Sequence, residues 1–516
     1  MRDALHLYLN GRPLRVTGDD AWLMLSTFLR RRRSLPGTKV VCAEGDCGSC
    51  TALVGRVEDG RLVYRSMLSC IQRVAQLDAT HVVTVEGLLD GDRLNAFQEA
   101  MVREHGAQCG FCTPGIVSAV QGLMESGDPL DATAVRRGLT GNLCRCTGYD
   151  AIVRAAVATD LASHRRLDEL YPPEPIVEVL NSAASESVTV RSGGQVFFKP
   201  ATLDEALSFL AAAVRDEGKP PMILGGGTDL GVVHNKGEEM PASAIFIGGL
   251  DELRGVREEA SGDRGVLVVG GAATLEAFQS ALAERLPEVA EFLEWFGSPP
   301  IRHAGTVAGN LCTASPIGDT LPLMQVLDAE VEVASARGRR TIPIADFLTG
   351  YRATVLEVDE MVIAVRVPLL GPHERLRLYK VSRRKDLDIS SVSGAFAFRH
   401  RDGVMDRVRV AYGGVAATVS RMSEVEAVLE GQPPTLDRFA AAATLAAESI
   451  TPRTDVRGSA NYRRTLCRNL LLKLGHEIDG GRFNGNGRVD SPDAPPNGSL
   501  ELAVTGETNG RDGGTA

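Results

Sequence analysis

Leu5, Leu7 and Leu9 alternate with polar positions, and Leu14 and Val16 resume the alternation beyond Asn10-Gly11. A period of two predicts strands, and Asn-Gly suits the positive φ of a tight hairpin turn. Asp19 or Asp20 is placed to cap a helix with Trp22, Leu25, Phe28 and Leu29 on one side. Two further strands are expected over 51–57 and 61–67. The period then becomes helical: 94–105, then from Thr113 to about Met124 with Thr113 as cap and Pro114 in the first turn, 131–139 from the cap Asp131, and 149–165. Four short helices pack as a small bundle.

The pattern breaks down over 167–192, where YPPEPIVEV and NSAASES predict an irregular linker. FFKPATLDEALSFLAAA then reads as strand, turn and helix, and the apolar Met222-Ile223-Leu224 runs into three glycines. Strands are expected at 376–382, 392–398 and 407–411, and helices near 424–429, 436–448 and 456–474. The tail, 477–516, is rich in Gly, Asn, Asp and Pro, which predicts disorder. Alternating groups of strands and helices of this kind predict a multidomain α+β chain.

A chain of 516 residues is too long for one core and should hold three or four domains. Its 44% hydrophobic and 24% charged residues are those of an ordinary soluble globular protein. A net charge of −10 argues against nucleic acid as a partner. The one basic run, Arg30–Arg33, reads as the solvated end of a helix. No apolar run reaches the roughly 18–20 residues that span a bilayer, and the N-terminus reads as a strand rather than a signal segment. No membrane partner and a cytoplasmic location are expected. There, ten cysteines point to metal ligands rather than disulfides.

Eight of the ten fall in two groups. Cys42, Cys47 and Cys50 share one loop, CAEGDCGSC, and Cys70 follows after the two strands. C-x4-C-x2-C with one distant cysteine is the plant-type [2Fe–2S] ferredoxin spacing. The loop's glycines let backbone amides approach sulfur closely. A zinc knuckle, or plain core cysteines, is the alternative, but zinc sites favour paired C-x2-C units over three ligands on one loop. The second group is Cys109 and Cys112 in QCGFCTPG with Cys144 and Cys146 in GNLCRCTGY. These lie at helix ends, where unpaired amides can reach thiolates.

QCGFCTPG with NLCRCTGY, behind a plant-type cluster loop, resembles the iron–sulfur portion of the molybdenum hydroxylases, the xanthine dehydrogenase family. The resemblance covers residues 1–165 with every ligand position present. It implies a β-grasp ferredoxin-like [2Fe–2S] domain over 1–82 and a four-helix [2Fe–2S] domain over 83–166. It also implies that Gln108, beside Cys109, touches the molybdopterin of a partner subunit; the plainer alternative is a helix-end polar residue with a local bond.

After the linker, the run Ile223, Leu224, Gly225, Gly226, Gly227, Thr228, Asp229, Leu230 would let amides face a diphosphate. Alone, a glycine run is more often a turn. No G-x-G-x-x-G occurs, which weighs against a Rossmann site. A second stretch, with Thr306, Gly309 and Asn310 in IRHAGTVAGN, joins the first in resembling the same family's FAD domain, of the vanillyl-alcohol-oxidase type. The resemblance extends the flavin contacts to Phe296, Asp319, Lys380 and Val362. Taken singly, Phe296 could be core, Asp319 a helix cap and Lys380 a surface charge. Some relatives carry Asn where this chain has Gly227 and Glu where it has Asp229. The FAD domain is expected over 193–370 and a C-terminal α+β flavoprotein domain over 371–476. Cys312 and Cys467 are expected to be small buried residues.

The resemblance implies a small subunit that passes electrons from a molybdopterin-binding large subunit through two [2Fe–2S] clusters to FAD and on to NAD+. The reaction implied is purine oxidation, hypoxanthine and xanthine to urate, in a heterodimer or a dimer of heterodimers, with hydroxylation carried by the partner. The same module in an aldehyde or N-heterocycle hydroxylase, or a non-catalytic cluster-based sensor, are the alternatives.

Overall fold

Asn10 and Gly11 both hold positive φ, 48° and 75°, so the chain reverses in two residues between β1 (Leu5–Leu9) and β2 (Arg12–Val16). This is seen in a computed structural model that describes residues 1–127, 129–238, 241–261 and 264–479. A helix, α1 (Leu25–Arg32), follows, then β3 (Thr51–Glu58), β4 (Arg61–Leu68) and β5 (His81–Val83). The sheet order is β2-β1-β5-β3-β4, with β1 parallel to β5 and the other pairs antiparallel, which is a β-grasp arrangement. The cysteine loop hangs outside this sheet between α1 and β3.

The helix expected from Asp19 is split. One turn covers Asp19–Trp22, Leu23 and Met24 are extended, and α1 starts at Leu25. Met24 makes a bridge to Arg73, which competes with helix continuation there.

The helical unit has four helices: α2 (Ala96–Arg103), α3 (Thr113–Ser126), α4 (Ala132–Gly138) and α5 (Asp150–Val157). The cap of α3 is Cys112 rather than Thr113. Asp131 caps α4 by accepting from the amides of Thr133 and Ala134 at 2.8 Å. The last helix stops at Val157, well short of 165. Asp160 turns the chain there, its carboxylate accepting from Ala162 N at 3.0 Å. The core of this unit takes in Leu53, Tyr64 and Val83 from the β-grasp sheet.

The irregular linker expected over 167–192 is not irregular. It holds a short helix, Leu167–Leu170, then α6 (Pro173–Ala184) and β6 (Val188–Ser192). The prolines that suggested a break begin α6 instead, where a missing N–H costs nothing. Ile176 and Leu180 on α6 bury against Tyr8.

β6 joins β7 (Gln195–Lys199), β9 (Ser243–Phe246) and β8 (Met222–Leu224) in one sheet, order β6-β7-β9-β8. α7 (Leu203–Glu217) connects β7 to β8, and α8 (Thr228–Asn235) follows the glycines. One apolar core runs from Leu5, Leu7 and Val82 of the β-grasp sheet into Val190, Phe197 and Phe246 of this one. A second flavin-domain sheet has the order β10-β11-β14-β12-β13. Its strands are β10 (Val256–Ser261), β11 (Arg264–Gly270), β12 (Glu330–Ser335), β13 (Gly338–Pro343) and β14 (Met361–Pro368). Between β11 and β12 lie α9 (Leu275–Leu282), α10 (Pro287–Glu294), α11 (Pro299–Ala304), α12 (Val307–Thr313) and α13 (Thr320–Val326).

The C-terminal unit is an antiparallel sheet, β15 (Glu374–Val381), β16 (Val392–Arg401), β17 (Val404–Gly413) and the short β18 (Ser420–Arg421). α14 (Ser423–Leu429), α15 (Leu436–Glu448) and α16 (Ala460–Asp479) cover it. Residues 477–479, expected in the tail, complete α16; the rest of that expectation lies outside the described residues. Among the described residues no helix is long and apolar enough to cross a membrane.

Candidate cluster and flavin sites

The loop after α1 turns through positive φ at Ala43, Gly45 and Gly48. Those turns fold Cys42, Cys47 and Cys50 back onto Cys70, at the end of β4. Cys50 and Cys70 are buried; Cys42 and Cys47 are half-buried. Sulfurs meet in pairs within hydrogen-bond reach: Cys42 with Cys47 and with Cys70, and Cys50 with Cys70. Backbone amides face them too, with Glu44 N donating to Cys42 Sγ at 3.4 Å. The thiols of Cys47 and Cys70 hold the Cys42 pKa far below the ordinary thiol value, and the same contacts push those two up.

The second group gathers at the start of α3 and the turn before α5. Cys109 and Cys146 are exposed, with their sulfurs 3.6 Å apart. Cys112 and Cys144 lie within reach of each other. Burial, then the Cys144 thiol, push Cys112 up to about 12. Burial opposes ionisation of Cys144 as well, but the Thr147 hydroxyl and amide outweigh it, and its pKa is lowered. Tyr149, at φ 69°, brings its hydroxyl under Cys144 N at 2.9 Å.

The two groups touch. Leu143 N donates to Cys47 O at 3.0 Å, and Asn142 Nδ2 donates to Gly48 O at 3.1 Å. A Cβ on Gly48 would sit 2.3 Å from Gly141 O, so only glycine fits this contact.

No disulfide joins any of these cysteines. Among the described residues no three His, Cys, Asp or Glu side chains are set to hold a single metal ion. Paired sulfurs facing backbone amides suit a two-iron cluster, which takes two thiolates per iron. The donor sets therefore fit two [2Fe–2S] clusters. Gln108 is exposed beside Cys109, in a rim that also exposes Phe111 and Leu143.

The two glycine stretches meet as well. Gly225 packs against the Thr306 hydroxyl, where a Cβ would lie at 3.0 Å, and a Cβ on Gly226 would lie 1.8 Å from Ala304 O. Gly227 caps α8 at φ 73°. Leu224 is buried in the core on one side of β8 and Ile223, half-buried, packs on the other. Thr228 and Asp229 open α8, with Asp229 exposed, and Leu230 packs inward. Thr306 caps α12, its hydroxyl accepting from Gly309 N at 3.0 Å. Asn310 accepts from the Thr320 hydroxyl at 2.5 Å.

From Thr320 the chain of contacts reaches Asp319 and Lys380, whose Nζ lies 2.8 Å from Asp319 Oδ2. Lys380 also donates to the carbonyl of Trp295, next to Phe296, at 3.0 Å. Asp319 stands at the helix-cap position of α13 but makes no capping bond, and Lys380 is no surface charge. Val362 is buried inside β14, in the same apolar cluster as Val307 and Leu311 of α12, with Phe296 packed against that cluster. A cavity of about 210 Å³ opens beside Gly225, Gly226 and Thr306, walled on the ferredoxin-like side by Arg56 and Gln76. Close-packed glycines at two helix starts fit a flavin dinucleotide's diphosphate.

Three residues of this region carried no sequence signal. Gln76 donates to Gly226 O at 3.2 Å, Ser390 Oγ to Asp319 Oδ1 at 2.6 Å, and Asn235 grips the first cysteine loop. Cys467 is buried as expected, whereas Cys312 is exposed on α12.

Residues 84–157 match the [2Fe-2S] binding domain, 190–370 the FAD binding domain in molybdopterin dehydrogenase, and 377–478 the CO dehydrogenase flavoprotein C-terminal domain. The chain belongs to the iron–sulfur and flavin part of the molybdenum hydroxylase family. Xanthine dehydrogenase of Drosophila subobscura is 28% identical over 91% of the chain, which spans 39% of that relative. Nicotinate hydroxylase of Emericella nidulans is 26% identical over 92% of the chain, which spans 41% of it. The chain thus covers about two fifths of the length of these relatives. Among solved structures, a carbon monoxide dehydrogenase chain from Hydrogenophaga pseudoflava aligns at TM-score 0.50 and 28% identity, covering 54% of this chain and 94% of its own. Quinoline 2-oxidoreductase from Pseudomonas putida 86 aligns at TM-score 0.50 and 26% identity, covering 55% and 96%.

Proposed function

We propose that this chain is the electron-transfer subunit of a xanthine dehydrogenase. It carries electrons from a molybdopterin-bearing large subunit toward NAD+ during oxidation of hypoxanthine and xanthine to urate. Cys109, Cys112, Cys144 and Cys146 hold the cluster nearer the partner, with Gln108 against the pterin. Cys42, Cys47, Cys50 and Cys70 hold the second cluster. The glycine loop 225–227, Thr306, Gly309 and Asn310 bind the FAD diphosphate, and Phe296, Asp319 and Lys380 frame the ring. Iron–sulfur clusters move one electron at a time and flavin one or two, so the chain converts between a one-electron wire and a two-electron acceptor.

The observation that carries this reading is continuity. The second cysteine group hydrogen-bonds the first through Leu143 and Cys47, and the first is tied through Asn235 to the helix that begins at the glycine loop. The exposed rim of Phe111 and Leu143 beside Cys109 and Cys146 supports a partner there. Xanthine dehydrogenases aligned along nine tenths of the chain favour a purine. A cytoplasmic heterodimer, or a pair of heterodimers, is the assembly proposed.

The nicotinate hydroxylase alignment supports a second reading, the same module serving an N-heterocycle hydroxylase. Purification of the chain with its partner separates them. Two clusters and one flavin per chain, with xanthine-dependent NAD+ reduction, are expected. Turnover of nicotinate but not xanthine would select the second reading. Zinc in place of iron would sink both.

A further inference from the structure

Helix α8 starts at the glycine loop and ends at Asn235 eight residues later, a rise of about 12 Å at 1.5 Å per residue. Its far end is bound to the first cysteine loop. Asn235 Nδ2 donates to Ala43 O at 2.8 Å and to Cys70 O at 2.7 Å. Ala43 follows Cys42, so both carbonyls sit on the cysteine framework itself. Lys236 reaches Glu44 in the same loop at 3.4 Å. One turn back, a Cβ on Gly231 would sit 2.3 Å from Ile71 O, and Val232 packs with Cys50, Leu68, Cys70 and Ile71. From the opposite direction, Gln76 of the ferredoxin-like domain donates to Gly226 O. Each side thus sends one amide into the other's loop.

A helix-end asparagine usually spends its amide on water or on its own last turn. Here both N–H groups are given to carbonyls of a different domain, on the two residues that anchor the Cys42 and Cys70 side of the group. We propose that Asn235 is a positioning residue for electron passage between this cluster and the flavin. It fixes the cluster loop against the flavin helix and turns the positive end of its amide onto two carbonyls of that cysteine framework, one of them Cys70's own. The inference rests on the proposed function above. One electron leaves the cluster for each electron that the flavin gains, and no bond forms or breaks. Added negative charge beside an iron–sulfur cluster disfavours its reduced form, because net charge and hydrogen bonding set its potential.

Asn235→Asp keeps the shape, removes the donor and adds a negative charge. Asn235→Ser keeps one shorter donor. Both are made in the full chain with its partner. Iron and flavin are counted, and the reduced clusters are followed by electron paramagnetic resonance at a series of applied potentials. Both variants are expected to keep their iron and flavin. The Cys42/Cys47/Cys50/Cys70 cluster should reduce at a more negative potential in Asn235→Asp, with Asn235→Ser between it and the wild type and the other cluster unmoved. An unchanged potential and line shape in both variants would overturn the proposal. Iron lost from both with flavin retained would overturn it too, since the residue would then hold the cluster in place rather than set its potential. Wild type free of iron would instead defeat the proposed function.

Discussion

Asp319 and Lys380 form a buried ion pair across the boundary between the flavin domain and the C-terminal sheet, 2.8 Å apart with side chains 5% and 9% exposed. Each is also held by a third group, Asp319 by the Ser390 hydroxyl and Lys380 by the Trp295 carbonyl. Removing one partner strands the other charge out of water, at about 3–5 kcal/mol. Asp319→Asn and Lys380→Met should each lower the thermal midpoint and the flavin retained per chain. Melting followed by flavin absorbance tests this. A variant with full flavin and an unchanged midpoint would show that the pair holds neither.

His81 is fully buried in the ferredoxin-like sheet. Its Nε2 accepts from Gly11 N at 3.0 Å, so its proton lies on Nδ1, 2.7 Å from the Tyr64 hydroxyl. Burial lowers its pKa from 6.5 to about 4. The unfolded chain therefore binds the proton first as pH falls. This stability is complete above pH 6.5 and is lost toward pH 4, about 3 kcal/mol in all. His81→Gln can accept from Gly11 and donate to Tyr64 without titrating. Denaturant unfolding at pH 7 and pH 5 should show a smaller fall for this variant than for the wild type. Equal falls would exclude His81 as the source.

Cys146 is exposed beside Cys109, in the group proposed to lie nearer the partner. Cys146→Ser should erase one cluster's spectral signal and stop substrate-dependent turnover, while NADH-driven dye reduction at the flavin continues. Loss of dye reduction in a folded, flavin-loaded variant would reverse the proposed cluster order.

What could be read from the chain was what is local in it. The cysteine loop, the hairpin at Asn10-Gly11 and the four helices announce themselves within a few residues, and the structure brings their cysteines together. The segment after Leu167 is ambiguous in the sequence because proline marks both a helix's start and a chain's irregularity; only burial of Ile176 and Leu180 on Tyr8 decides between them. Nothing in the sequence stops the helix after Tyr149 at Val157, because Asp160 is as polar as any exposed helical position and its turn shows only in its bonds. Gln76, Asn235 and Ser390 stayed invisible for a different reason. Each acts on a carbonyl or carboxylate far away along the chain, and polarity alone does not say which remote group an amide will meet. Residue type places Cys312 in the core, yet α12 turns it outward.

Gly226 offers the sharpest test of the flavin loop. A methyl there would lie 1.8 Å from Ala304 O and 2.5 Å from its carbonyl carbon. Both are backbone atoms at the end of α11, so no rotamer change relieves the clash; the loop or the helix must move. Overpacking a fitted site costs about 1–3 kcal/mol where side chains can adjust, and this contact should exceed that range. Gly226→Ala should lose flavin and melt earlier. Gly255→Ala is the matched control, since a methyl at Gly255 meets nothing within 4 Å and its φ of −72° suits any residue. With the control normal, a Gly226→Ala protein that keeps its full flavin would mean that the 225–227 loop does not hold the dinucleotide.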